Sequence, residues 1–275
     1  QEKVADVTYG HNPRRQMIST EIVNKFDFEQ LPGIYAKLYP GANGFVFTFV
    51  GNIDPETLKP LVEKYIGSIP AARKPINYVD DKAYPVKGEV TEEFTAPMQQ
   101  PKVSVNYHFS GEMPYTLKNK MALTFLTQAL NSRYLVSIRE EKGGTYYVGV
   151  HDEVSARPRG YCQLVVSFDT DPKLCEMLLG EVQKGIERLA AEAPSEQEVN
   201  EAMLYFRKVN AESRSKNLKS TSYWLNKMRA EYFDGVDLDK DNEALFTAVT
   251  PAEVRRLARE ILAQGNRYTA VFTQE

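Results

Sequence analysis

Two stretches of this chain share one pattern of apolar residues at a fixed offset of 223 positions, without a gap. Residues 9–50 and residues 232–273 both read as an aromatic residue, a short helix, an N-cap, an amphipathic helix, a turn and a strand. The apolar positions of the amphipathic helix pair as Leu31 with Val254, Ile34 with Leu257, and Leu38 with Ile261. Such self-similarity is typical of tandem architectures, although the low identity between the copies leaves chance similarity as the alternative.

The repeat predicts how the 275 residues are divided into domains. Because the first copy is truncated on its N-terminal side, residues 1–70 are predicted to be the C-terminal part of one domain of roughly 220 residues. Residues 85–275 are predicted to form a second, complete domain of the same kind. The stretch 69–99 contains four prolines, many charges and no helical period. It therefore predicts an extended connection between domains, with residues 71–84 as the linker.

Helix and strand signals recur along the chain and predict an α+β fold. Capping residues such as Asp54 and Thr250, each followed by proline, mark helix starts. The predicted helices are 55–66, 115–142, 172–191, 196–232 (with a break within it as the alternative) and 251–263, and the predicted strands are 45–51, 101–109, 145–154, 161–168 and 267–273. Strands separated by hairpin-length turns and followed by long helices indicate a two-layer domain, with helices on one face of a largely antiparallel sheet.

The composition excludes several classes of partner. The net charge is −3 and no basic cluster occurs, so no nucleic-acid surface is expected. No apolar run approaches the roughly 20 residues of a membrane span. The first ten residues have neither the basic region nor the apolar core of a signal peptide. Cys162 lies on the apolar face of a predicted strand and Cys175 in a predicted helix, which indicates buried thiols; a disulfide between them is the alternative.

A long helix, a glycine turn and a strand bring two hydrogen-bond donors close together in sequence. Arg139 lies in the last turn of the helix, Gly143 and Gly144 stop it, and Tyr146 lies at the start of the strand. A guanidinium and a phenol can both donate to a peptide carbonyl, and such donors stabilise a developing oxyanion. The structural alternative is a solvated arginine beside Glu140 and a tyrosine that serves packing alone.

Two segments resemble the pitrilysin/insulinase family of zinc metallopeptidases. Residues 126–148 are similar to the family's small-Arg-Leu segment followed by Leu-Arg-Glu-x-x-Gly-x-x-Tyr, in which Arg139 and Tyr146 keep the seven-residue spacing. Residues 45–70 are similar to the strand, Val-Gly-Asp/Asn turn and helix that close each repeat of the family. Beyond these segments the order of the elements agrees over most of the chain.

This resemblance implies a clamshell of homologous α+β domains in which residues 1–70 end the third domain and residues 85–275 form the fourth. It implies that Arg139 and Tyr146 bind the substrate and stabilise the transition state across a chamber. Zinc belongs to the first domain of the family, so the cofactor is implied in a missing N-terminal half. The implied partners are a peptide or unfolded protein substrate and either that half or a homologous subunit.

The family's zinc motif, H-x-x-E-H, is missing from this chain. The three histidines, His11, His108 and His151, have no second histidine within five residues. A catalytic zinc normally takes three protein ligands, so no metal site and no cofactor are expected within these residues. We therefore expect the isolated chain to be inactive as a peptide-bond hydrolase.

Three hypotheses for the function follow. In the first, the chain is the C-terminal part of a zinc metalloendopeptidase and supplies substrate binding and oxyanion stabilisation. In the second, it is a non-catalytic structural or partner subunit of the same fold. In the third, it is an unrelated α+β peptide-binding module. An exposed sheet edge would allow a peptide to add as a strand in any of them. An H-x-x-E-H motif upstream of Gln1 would discriminate the first from the second.

Overall fold

The computed structural model describes residues 2–71, 79–80, 82–98, 102–157, 159–235, 237 and 242–275. Most of the predicted linker, 72–78 and 81, lies outside the described residues. The helices are α1 (Glu2–Thr8), α2 (Thr20–Asn24), α3 (Leu31–Leu38), α4 (Pro55–Tyr65), α5 (Leu117–Tyr134), α6 (Cys175–Ala191), α7 (Glu196–Asn217), α8 (Thr221–Asp234), α9 (Asn242–Ala248) and α10 (Pro251–Ala263). The strands are β1 (Glu89–Ala96), β2 (Val103–Glu112), β3 (Val148–Ser155), β4 (Tyr161–Thr170) and β5 (Asn266–Gln274).

The five strands form one sheet in the order β1-β5-β2-β4-β3. Strand β1 pairs in parallel with β5, and the other three pairings are antiparallel. In the register of the centre, Tyr107 of β2 lies opposite Val166 of β4 and Thr269 of β5. The predicted α+β class, with a largely antiparallel sheet, is confirmed.

The hydrophobic core lies between one face of this sheet and the helices α5, α6 and α10. Alternate residues of a strand point to opposite faces, so every second residue of β2 and β4 enters the core. The side chains contributed by these two strands are Val103, Val105, Tyr107, Phe109, Cys162, Leu164, Val166 and Phe168. Tyr134 at the end of α5 is fully buried, and its hydroxyl donates to the Val182 carbonyl at 2.6 Å.

The helix starts predicted from capping residues are confirmed. Asp54 accepts hydrogen bonds from the backbone amides of Glu56 and Thr57, and α4 begins at Pro55. At α7, Glu198 N–H donates to Ser195 Oγ at 3.1 Å, and Glu198 Oε2 accepts from Ser195 N–H at 2.7 Å. These reciprocal bonds satisfy amides that have no partner inside the helix. The helix predicted at 196–232 is broken between Asn217 and Thr221.

Two predictions made near the first copy of the repeat are wrong. Residues 45–51 do not form the predicted strand, because no strand lies beside them in the described part of the chain and a β-strand needs a bonded neighbour. Conversely, the stretch 69–99, interpreted as an extended connection, contains β1. Three glutamates and the edge position of β1 weaken the local apolar pattern by which a strand is recognised.

The described chain divides into two compact units. One comprises residues 1–15, 84–212 and 239–275 and contains the sheet; the other comprises residues 16–83 and 213–238. The helical elements also recur at the offset of 223 positions: α2 corresponds to α9, and α3 lies within the counterpart of α10. The domain limits 1–70, 71–84 and 85–275 remain a prediction.

Candidate functional site

The helix that carries Arg139 changes its hydrogen bonding at Leu135. Helix α5 ends at Tyr134 and continues as a π-helix over Leu135–Glu140. Glu141 N–H accordingly donates to the Val136 carbonyl, five residues back, at 2.9 Å. Ile138 is fully buried and fixes this turn to the core, whereas its neighbour Arg139 is exposed. Short π-helical turns occur frequently at functional sites.

The glycine turn after the π-helix is held by buried contacts. Gly143 has a φ of +56°, a conformation that glycine adopts without strain. Gly144 N–H donates to the Ile138 carbonyl at 3.3 Å, and the Thr170 hydroxyl donates to the Gly144 carbonyl at 2.6 Å. A Cβ atom on Gly144 would lie 2.7 Å from a methyl group of Leu178. The turn is therefore fixed to the end of β4 and to α6.

Arg139 and Tyr146 meet on the surface beyond this turn. The guanidinium carbon of Arg139 lies 5.8 Å from the centroid of the Tyr146 ring, within the range of a cation–π contact. Tyr146 is 91% exposed, so it contributes almost nothing to packing. Within the described residues Tyr146 therefore does not serve packing, whereas the exposure of Arg139 agrees with the other part of that alternative, a solvated arginine. The structure brings the two predicted site residues together, with both polar ends accessible to a ligand.

Tyr147 occupies a different environment. It is 58% exposed, and its hydroxyl lies against Gly149, where a Cβ atom would overlap it. Thr145 Oγ1 accepts from Tyr147 N–H at 3.2 Å and donates to the Tyr147 carbonyl at 2.8 Å. Strand β3 begins only at Val148, so both tyrosines precede the strand that the sequence predicts to begin at residue 145.

Asn131 is a residue near the site to which sequence reasoning assigned no role. Its carboxamide donates to the Val150 carbonyl at 3.0 Å and accepts from Val150 N–H at 2.7 Å. Strand β3 is an edge strand, so this side chain takes the place of a neighbouring strand at one residue. The available signal is the asparagine itself, a polar residue directly after the buried Ala129 and Leu130 of the helix.

The described residues do not fit a zinc site. His108 is largely buried and lies 3.4 Å from Gln163 Oε1, and burial lowers the pKa of its imidazole. His11 Nδ1 lies 2.6 Å from Asp6 Oδ2, on the surface. Across the described ranges, no three His, Cys, Asp or Glu residues are grouped closely enough to hold a metal ion.

Both cysteines are free. Cys162 is buried in the core, and burial raises the pKa of its thiol to about 12, so it stays protonated at neutral pH. A protonated thiol is a poor nucleophile and a poor metal ligand.

Among the described helices, none has the length and apolar character that a membrane span needs.

Comparison with known proteins agrees with this architecture. The family model described as the peptidase M16 inactive domain matches residues 25–204. A zinc protease PQQL-like protein of Arabidopsis thaliana is 23% identical over 245 residues, which cover 84% of this chain and 25% of that protein. The chain thus spans about a quarter of the length of this curated relative.

Two solved structures share the fold. The periplasmic protease PqqL from Escherichia coli superposes with a TM-score of 0.77 at 20% identity, covering 100% of this chain and 30% of that one. The ferredoxin protease FusC, solved with Arabidopsis ferredoxin, has a TM-score of 0.72 at 17% identity, covering 100% of this chain and 29% of that one. Since the family model matches well over half of the residues, the chain belongs to the peptidase M16 family and carries its inactive domain.

Proposed function

We propose that this chain is the substrate-binding part of a zinc metalloendopeptidase, in which Arg139 and Tyr146 hold the substrate and stabilise the oxyanion. The observation that carries the proposal is the exposed pair itself, with the guanidinium 5.8 Å from a phenol ring that is 91% exposed. Because Tyr146 is exposed, its hydroxyl is accessible to a ligand on the same surface as the Arg139 guanidinium.

The chemistry of the pair fits a peptide backbone. A guanidinium offers five N–H donors in a fixed plane, and the phenol offers one O–H donor. A scissile carbonyl gains negative charge in the transition state, so donors aimed at its oxygen bind the transition state more tightly than the substrate. The M16 relatives are named as proteases, and one of them is solved with ferredoxin, which supports a peptide or small protein as the substrate class.

Zinc and the general base must come from outside these residues in this proposal. They are assigned to the N-terminal half of a longer protein or to a homologous subunit, because the chain spans 25% of a curated zinc protease relative. The role of the chain's own residues is limited to binding and orienting the peptide and to donating hydrogen bonds.

The test compares zinc-dependent peptide cleavage by the 275-residue chain with that by the longer polypeptide that the proposal requires, in which an N-terminal half precedes this chain. We expect cleavage by the longer polypeptide that a chelator abolishes, and none by the chain alone. Cleavage by the isolated chain, or a longer polypeptide that binds no zinc, would overturn the proposal.

A structural subunit of the same fold is the second candidate. It is favoured by the missing zinc motif and by the match to a family model described as inactive. A scaffold has no need of two exposed donors, so the two candidates differ in what they require of Tyr146. If the chain acts only as a scaffold, replacing Tyr146 changes neither peptide binding nor cleavage in the complete assembly.

A further inference from the structure

A surface cavity of about 410 Å³ lies directly beside the turn that carries Arg139. Its wall is formed by the end of α5, the π-helical turn, α6 and the first turn of α7. Its volume falls within the range of roughly 300–1,000 Å³ that is typical of small-molecule sites. The charged side chains in the wall are Arg133, Glu141, Arg188 and Glu198, so the positive and negative groups balance.

Arg133 and Glu198 form an ion pair within this wall. Arg133 Nε donates to Glu198 Oε1 at 2.9 Å, and Arg133 Nη2 donates to Glu198 Oε2 at 3.3 Å. Glu198 Oε2 also accepts from Ser195 N–H at 2.7 Å. These hydrogen bonds, above all those from Arg133, lower the pKa of the Glu198 carboxyl and keep it ionised at neutral pH. The pair therefore belongs to the fold and leaves little charge for a ligand.

Arg188 and Glu141 line the same cavity without such a partner. In the described part of the chain, neither side chain makes a hydrogen bond or an ion pair, and the two do not approach each other within 4.0 Å. Both are exposed, so separate solvation of the two charges is the structural alternative. One unpaired guanidinium and one unpaired carboxylate in a single cavity are complementary to a ligand that carries both a carboxylate and an ammonium group.

We propose that this cavity binds a small zwitterion, either an α-amino acid or a short unblocked peptide. The Arg188 guanidinium binds the carboxylate of the ligand through two parallel hydrogen bonds, the geometry that arginine favours. The Glu141 carboxylate accepts from the ammonium group, and the Ser137 hydroxyl in the same wall can bond to either end. A simple anion binds less well, because Glu141 repels it.

A zwitterion bound in this way connects α6 to the segment that carries Arg139. Arg188 belongs to α6, whereas Ser137 lies in the π-helical turn and Glu141 directly follows it. The Glu141 amide donates to the Val136 carbonyl and closes the turn. We therefore expect the ligand to stabilise this turn. The inference does not rest on the proposed function, because binding and the stability of the turn are measured without peptide cleavage.

Calorimetric titration of the protein with leucine and with the dipeptide alanyl-leucine tests the binding. We expect at least one of them to bind with a Kd below about 1 mM, and the tighter of the two identifies the class of ligand. Acetylation of the ligand's amine or amidation of its carboxylate removes one charge, and each should weaken binding by at least ~10-fold. Binding that survives either change, or no binding of either zwitterion at about 10 mM, overturns the inference.

Two substitutions assign the binding to this cavity. Arg188→Gln and Glu141→Gln should each raise the Kd by at least ~10-fold, because each removes one charged partner of the ligand. The matched controls are Arg259→Gln and Glu140→Gln, which remove the same charges at exposed positions outside the cavity lining. The controls should leave the Kd unchanged. A control that weakens binding as much as its partner variant would contradict the assignment.

Hydrogen exchange of the Glu141 backbone amide tests the connection to the turn. At a ligand concentration of about ten times the Kd, exchange should slow by about 10-fold, because opening of the turn requires release of the ligand. Arg188→Gln should abolish the slowing at that concentration. An unchanged exchange rate in the ligand-bound wild-type protein would show that the ligand does not contact Glu141, and it would overturn the inference.

Discussion

Arg139 and Tyr146 are held together by their neighbours in the chain more than by contact with each other. The buried Ile138 anchors the π-helical turn, and the bond from Thr170 to the Gly144 carbonyl fixes the glycine turn. An exposed cation–π contact contributes only about 0.5–1 kcal/mol, too little to position two long side chains. Either side chain can therefore turn towards a ligand without loss of the fold.

Asp152 is a carboxylate on the core-facing side of an edge strand. Burial raises the pKa of this carboxyl above its ordinary value of 3.8, and the Thr127 hydroxyl only partly opposes the effect. A raised pKa means that the native state binds the proton more tightly than the unfolded chain does. The stabilising contribution of the protonated form is thus complete below pH 3.8 and is lost as the pH rises through the raised pKa.

Replacing Asp152 with asparagine should therefore stabilise the protein at pH 7 and leave its stability near pH 3 unchanged. The expected gain is about 1 kcal/mol, or about 2–4 °C in the thermal midpoint. Thermal unfolding followed by circular dichroism at the two pH values measures it. Glu153→Gln is the matched control, since Glu153 is exposed and its charge carries little burial cost. A loss of stability at pH 7 in Asp152→Asn would show that neighbouring groups stabilise the charged carboxylate, and it would contradict this prediction.

At the scale of elements, the outer edge of β3 depends on Asn131. Asn131→Leu keeps the size of the side chain and leaves both backbone groups of Val150 without a partner. Removing partners from part-buried polar groups costs about 1–3 kcal/mol, so the free energy of unfolding should fall by that amount. Chemical denaturation measures the loss, and faster exchange of the Val150 amide locates it. Ser132→Ala, at the exposed next position, should change neither.

The packing of α6 against α5 gives a second prediction. A Cβ atom at Gly185 would overlap the ring of Tyr134, which is fully buried. Gly185→Ala should therefore destabilise the protein by about 1–3 kcal/mol. Gly180 lies on the same helix with no atom within 4 Å of an added Cβ. Gly180→Ala should instead stabilise by about 0.5–1 kcal/mol through helix propensity. The midpoints of denaturant unfolding should therefore move in opposite directions, and a shared direction would refute this account of the helix contact.

The elements that the sequence predicts well are those with local signals. Asp54 and Thr250 mark helix starts because an N-cap side chain bonds to amides of its own helix. Strand β1 was missed because its parallel partner β5 lies far away in the chain and three of its eight residues are glutamates. The π-helical turn was missed because it depends on tertiary packing around Ile138 and not on the propensity of its residues.

At the scale of the whole molecule, the candidate site also contains contacts that the local sequence predicts and contacts that depend on distant residues. The sequence predicts that Arg139 and Tyr146 lie close together, because the helix, the glycine turn and the residues after it are contiguous in sequence. The sequence does not predict the hydrogen bonds of Asn131, because its partner Val150 comes alongside only when α5 packs on β3. The pattern of residues 45–51 predicts a strand, but a pattern does not supply the neighbours that a strand requires.

In the proposed function, this M16 inactive domain supplies two hydrogen-bond donors to a substrate, and the catalytic zinc is bound outside these residues. The most direct test is the kcat for peptide cleavage by the complete zinc-loaded protein, compared between Tyr146→Phe and the matched variant Tyr147→Phe. We predict that Tyr146→Phe lowers kcat by ~10²-fold, because an oxyanion donor is lost, and that Tyr147→Phe leaves it unchanged. An unchanged kcat in Tyr146→Phe would contradict the claim.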